Sequence, residues 1–107
     1  MAYDEALDRR VAEIAEVWGA TRRRMFGGTG YMLCGNMLCG VLDDALILRL
    51  GVAAAEEALR RAHVRDFDVT GRPMRGWVMI DPPGYSEEML GEWLEKAREF
   101  VRTLPPK

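Results

Sequence analysis

Between Arg24 and Leu50 the chain runs as short apolar segments broken by two polar pairs, Gly35-Asn36 and Asp43-Asp44. Two-residue breaks of this composition specify β-hairpins, so the stretch predicts three consecutive antiparallel strands. Taking Gly35-Asn36 as the first turn sets Cys34 against Met37, Leu33 against Leu38 and Met32 against Cys39. Taking Asp43-Asp44 as the second sets Val41 against Leu46 and Cys39 against Leu48. Side chains alternate along a strand, so this register gathers Met32, Cys34, Met37, Cys39, Val41, Leu46, Leu48 and Leu50 on the face that helices would cover. Tyr31, Leu33, Leu38, Gly40, Leu42, Ala45, Ile47 and Arg49 then share the other face. A face open to water should be polar, and this one is mostly apolar. Tyr31, Leu33, Leu38, Leu42, Ile47 and Arg49 are therefore expected to form an interface. The alternative is that the last helix or the Pro-rich tail folds across them.

The flanking segments change period. Asp4 can cap a first helix in which Leu7, Val11, Ile14 and Trp18 recur at helical spacing, with Gly19 as its stop. Val52 to His63 is alanine-rich and predicts a second, weaker helix. Val64–Thr70 and Met74–Ile80 predict two more strands, separated by Gly71-Arg72-Pro73 and ended by Asp81-Pro82-Pro83-Gly84. Ser86 can cap a last helix whose apolar stripe is Leu90, Trp93, Leu94, Ala97, Val101 and Leu104. The expected fold is α+β in two layers: an antiparallel sheet of about five strands with helices on one face, in the order α-βββ-α-ββ-α. Residues 1–107 are expected to form one domain.

Composition excludes more than it names. Lys and Arg total 15 against 17 Asp and Glu, a net charge of −2, which gives no general attraction to nucleic acid. No apolar run approaches a membrane span, and the acidic, amphipathic start is unlike a secretion signal, so a cytoplasmic location is expected. One His, one Ser and two Cys are a thin stock for catalysis.

Each motif that could carry chemistry also has a plainer explanation. Gly27-Gly28-Thr29-Gly30 suggests a phosphate loop, but a dinucleotide fingerprint would need glycine at Leu33 and a following helix. A bulge bending a long first strand is the simpler expectation. Cys34 and Cys39 fall diagonally on one face, too far apart for a bridge, and are expected to be free thiols in the core. His63 is placed to meet the last carbonyls of the second helix, while Asp66 or Asp68 can pair with Arg65. Arg22-Arg23-Arg24 could touch phosphates, but no further basic helix or interleaved aromatic supports it. A solvated loop is expected there, and no specific duplex-DNA binding by the domain alone.

Arg24-Met25-Phe26-Gly27-Gly28 followed by Gly30, then Gly35-Asn36-Met37 and Leu46-Ile47-Leu48-Arg49, resembles the N-terminal domain of the TfoX/Sxy competence regulators. Gly71-Arg72-Pro73-Met74 with Trp77, then Leu90 and Trp93, extends the resemblance over nearly the whole chain. It implies a fold like that of type III secretion chaperones, with the same element order, and a regulator of competence genes without known enzymatic activity. Longer members carry a second, C-terminal domain, which is not expected in a chain ending at Lys107. The chain departs from the family pattern at Ile47, where Tyr is common, and at Leu38-Cys39, where Phe-Ala is common.

Two functions follow as expectations. One is a non-enzymatic regulatory or protein-interaction module, with a homodimer as its first form and a different protein partner as its second. The other is a small-anion ligand-binding protein or small enzyme that uses the Gly-rich strand with Arg49 or Arg72. No cofactor or metal is expected.

Overall fold

The computed structural model describes residues 4–25, 27–68, 71 and 73–107. Among them the chain forms α1 (Glu5–Ala15), a 3-10 turn (Glu16–Trp18), β1 (Thr21–Met25), β2 (Gly28–Leu33), β3 (Asn36–Leu42), β4 (Ala45–Arg49), α2 (Val52–Ala58), β5 (Val64–Asp66), β6 (Trp77–Ile80) and α3 (Glu87–Val101). The six strands make one antiparallel sheet in the order β1-β2-β3-β4-β6-β5. The protein is α+β, and α2 carries the chain past the slot that β6 later fills between β4 and β5.

The helix ends follow the capping chemistry. The Asp4 carboxylate accepts a hydrogen bond from the Leu7 amide at 3.0 Å, and Gly19 ends the 3-10 turn in the left-handed region at φ 91°. The Ser86 hydroxyl caps α3 by accepting from the Met89 amide at 3.2 Å. Leu7, Val11 and Ala15 of α1, Ala55 and Ala58 of α2, and Leu90, Trp93, Leu94, Ala97 and Val101 of α3 bury against one face of the sheet. All three helices therefore share that face.

The sheet departs from expectation at its first two hairpins. The glycine run is no bulge in one long strand. The chain reverses between Met25 and Gly28, with Gly27 at φ 77°, so the predicted first strand is two. Arg22, Arg23 and Arg24 accordingly lie on the edge strand β1 rather than in a loop. Charged side chains on an edge discourage pairing with another chain.

The second turn uses Cys34-Gly35, not Gly35-Asn36. Both residues hold positive φ, 52° and 83°, the geometry of the hairpin turn whose twist suits flanking strands. Leu33 faces Asn36 and Met32 faces Met37; the register then shifts, so that Tyr31 faces Cys39. The shift is a β-bulge around Leu38. Together the two changes turn Tyr31 and Leu38 toward the helices and leave Met32, Met37 and Cys34 outside the main core. Downstream, the Asp43-Asp44 turn and the Val41–Leu46 and Cys39–Leu48 pairs form as predicted.

A smaller apolar layer covers the sheet's second face. Ala45, Ile47, Phe67 and Met79 are buried there, with Met37, Leu42 and Trp77 against them. Phe67 follows β5 and packs its ring 5.5 Å from that of Trp77. This cover, which the sequence pattern does not reveal, is why Ile47 is buried. Helix α2 ends at Ala58, earlier than expected, and His63 stands exposed beyond it at φ 70°. Strand β5 stops at Asp66 and β6 begins at Trp77, and Val69 and Thr70 of the predicted strand lie outside the described residues. The tail returns to the second hairpin: the Lys107 amide donates to the Cys34 carbonyl at 2.9 Å, and Asn36 Nδ2 donates to the Pro105 carbonyl at 3.0 Å.

Candidate interaction site

Among the described residues, the concentrated polar site in the interior is built on Asp8, which lies on the buried side of α1 between Leu7 and Val11. Its Oδ2 accepts from Arg22 Nε at 3.0 Å and Nη2 at 2.7 Å. Its Oδ1 accepts from the Thr29 hydroxyl at 2.8 Å and the Tyr31 hydroxyl at 2.6 Å. Arg22, Thr29 and Tyr31 alternate on the helix-facing side of β1 and β2, so the sheet supplies three donors at strand spacing. Burial, reinforced by the Asp8 carboxylate, holds the Tyr31 hydroxyl in its protonated form well above the ordinary tyrosine range. Every oxygen of the carboxylate is committed, which suits an anchor fixing α1 on the sheet. Asp8 does not stand out in the sequence. The available signal was a carboxylate at helical spacing with Val11 and Ala15.

Within the glycine-rich run Gly28 and Gly30 are close-packed, while Gly27 faces open space. A Cβ on Gly28 would fall on the Val41 carbonyl and one on Gly40 on the Thr29 carbonyl, so the β2 and β3 backbones meet where only hydrogen fits. A Cβ on Gly30 would lie 2.7 Å from the Met25 sulfur and 3.2 Å from the Met37 methyl, so both methionines use the space above that glycine. Arg24, Met25, Gly27, Gly28, Gly30, Gly35 and Met37 thus belong to two adjoining hairpins. Phe26 and Arg72 lie outside the described residues, and Pro73 and Met74 are exposed ahead of β6.

The six residues expected to share an interface do not share a face. Tyr31 and Leu38 are fully buried beneath the helices, with Leu33 partly buried on the same core. Ile47 is fully buried on the opposite side, beside Leu42. Arg49 has its guanidinium carbon 5.2 Å from the Trp77 ring centre and 6.0 Å from that of Phe100. The expected apolar face is therefore divided between two cores and offers no continuous free surface.

Free apolar surface occurs instead beside α2. Its sequence, VAAAEEA, is mostly alanine, and the helix packs chiefly on β6. A groove between α2 and α3 results, with Leu50 and Ala54 in its wall, Trp93 toward one end and Phe100 toward the other. Arg61 lies over Trp93, 4.8 Å from its ring centre, and Lys96 stands on the α3 side.

The remaining candidate groups are placed apart. Both cysteines are free thiols, as expected; Cys34 is exposed in a turn and Cys39 buried, where desolvation pushes its thiol far above the usual range. Arg65 pairs with Asp81, donating from Nε at 2.7 Å and Nη2 at 3.1 Å, rather than with Asp66 or Asp68. Among the described residues no group of three or more His, Cys, Asp or Glu could hold a metal ion. No helix among them is long and apolar enough to cross a membrane.

No curated protein matches this chain, and no solved structure does. A family match is found, to the TfoX N-terminal domain, over residues 12–101. It spans β1 through α3, including the double hairpin that holds the glycines and methionines. The chain belongs to the TfoX N-terminal domain family.

Proposed function

We propose that this domain is a non-enzymatic regulatory module that acts by binding another protein, or a second copy of itself, through surface contacts. The family supports a regulatory, competence-associated role at family level. The observation that carries the reading is the groove beside α2: exposed small apolar side chains next to cations, while the interior carboxylate is consumed by Arg22, Thr29 and Tyr31. Grooves of this kind accept side-chain anchors from a partner. The alternative, an anion held by the glycine-rich strand, is the weaker reading, because the space at Gly28, Gly30 and Gly40 is already filled and open space is left at Gly27.

A photoreactive amino acid placed at Ala54 tests the reading in cells. It should capture a protein, and the same group at Val17, an exposed position on the 3-10 turn, should not. Equal capture at both positions, or none at Ala54, overturns it. A saturable rise in melting temperature with a nucleotide, sugar phosphate or small carboxylate would point to the ligand-binding alternative.

A further inference from the structure

The groove continues around the start of α2 as three adjoining hollows of about 180, 520 and 380 Å³. The first and second share Gly51, Val52 and Phe100, and the second and third share Leu50, Ala54 and Lys96. Its charge is unlike that of the whole chain. The chain carries −2, yet among the described residues Arg49, Arg75, Lys96, Arg60 and Arg61 line the groove against Glu57 and Glu99. Among the described residues neither Arg60 nor Lys96 forms an ion pair. The nearest pairing of Arg75 is a loose one, 3.8 Å from Glu56 with both side chains exposed.

We propose that this groove binds an acidic amphipathic helix of a partner protein. The inference rests on the reading of the domain as a protein-interaction module and names the chemistry of its partner. Apolar walls take the partner's aliphatic or aromatic anchors, and the surrounding cations take carboxylates on either side of them. The seven residues of α2 extend about 10 Å at 1.5 Å per residue, enough to lie along two turns of a docked helix with anchors at i, i+4 and i+7.

Single-stranded nucleic acid is the competing occupant for a cationic groove with aromatic rings, and two observations disfavour it. Binding of bases needs open ring faces, but Arg49 sits by both Trp77 and Phe100, and Arg61 sits over Trp93. Glu57 and Glu99 would also repel a uniformly anionic backbone, whereas an amphipathic peptide can set its own Lys or Arg against them.

Selection from a displayed library of random 16-residue peptides, with the intact chain as bait, tests the proposal. Enriched peptides should combine Asp or Glu with Leu, Phe or Trp at helical spacing. Their affinity should fall about tenfold or more in Lys96→Glu and Arg60→Glu, and in Ala54→Trp, which fills the groove. All three positions are exposed, and circular dichroism confirms that each variant is folded. Replacing the peptide's acids by Lys should restore binding to Lys96→Glu. Groove-dependent peptides that are neutral or basic would overturn the acidic partner while leaving the interaction module standing. Failure to enrich any peptide sensitive to Ala54→Trp overturns both. Binding of an oligo-dT strand that Lys96→Glu abolishes would assign the groove to nucleic acid instead.

Discussion

Replacing Asp8 by Ala should destabilise the domain by about 3 kcal/mol, a value set by what each donor loses. Thr29 is fully buried and donates to Oδ1, so its hydroxyl loses its acceptor, at about 1–3 kcal/mol. Tyr31 keeps a second acceptor, the main-chain carbonyl of residue 8 at 3.2 Å, so its loss is nearer about 1 kcal/mol. The Arg22 side chain is a third exposed and can turn to water, so its loss is at most about 1 kcal/mol. Urea titration followed by tryptophan fluorescence measures the sum, and the melting temperature should fall by more than about 10 °C. The mechanism makes a sharper demand. Thr29→Val added to Asp8→Ala should recover about 1 kcal/mol or more, because replacing both partners by apolar groups removes the unsatisfied hydroxyl. A loss below about 1 kcal/mol in the single variant, or no recovery in the double, would refute the anchor argument.

Gly28→Ala should cost about 2 kcal/mol or more, because its methyl would meet a backbone carbonyl rather than a side chain that can move aside; an unchanged urea midpoint would refute the close-approach account. Alkylation without reductant should modify Cys34 alone in the folded protein and both cysteines after denaturation, as read by mass spectrometry; an unmodified pair in denaturant would mean a disulfide. Stability should hold at neutral pH and decline at alkaline pH. Burial raises Cys39 above its ordinary 9.0 and Tyr31 above 10.0, while partial burial near Asp4, Asp44 and Asp81 pushes Tyr85 up to about 12. The unfolded chain therefore ionises first, draining stability from about pH 9 upward by up to ~1.4 kcal/mol per pH unit for each buried group. Tyr31→Phe should flatten that decline above pH 10, and a slope equal to that of the wild type would count against it.

Helix ends and the β3–β4 hairpin are legible in the sequence because local chemistry decides them. Asp4 and Ser86 cap, Gly19 stops, and Asp43-Asp44 turns. The β2–β3 hairpin is not decided locally. Gly35-Asn36 has the better turn composition, yet Asn36 is buried and binds the Pro105 carbonyl, while Cys34 takes the left-handed position instead. A contact from the far end of the chain thus accompanies a turn displaced by one residue, and such a slip moves side chains to the opposite face. The bulge near Leu38 then resets the register before Cys39. The expected interface fails for this reason: Tyr31 and Leu38 lie on the helix-facing side, and Phe67 covers Ile47 from a loop with no periodicity to announce it. Asp8 was hidden differently, since a single carboxylate on an amphipathic helix is ordinary until its strand donors are known.

The division between legible and hidden residues bears on how far family membership reaches. The Met25–Gly30 and Gly35–Met37 parts of the family resemblance lie in the β1–β2–β3 hairpins, where Gly28, Gly30, Met25 and Met37 act as packing parts. Changing them alters whether strands can approach, and so alters the scaffold. The groove is built by other residues: the alanines of α2, Arg60 and Arg61 after it, and Lys96 on α3. Of these, Ala53, Ala54, Arg60, Arg61 and Lys96 are exposed, where substitution costs little stability, whereas Ala55 and Ala58 belong to the core. On the proposed reading, the partner would be specified by α2 and α3 rather than by the glycine motif, because fold and binding surface are set by different residues.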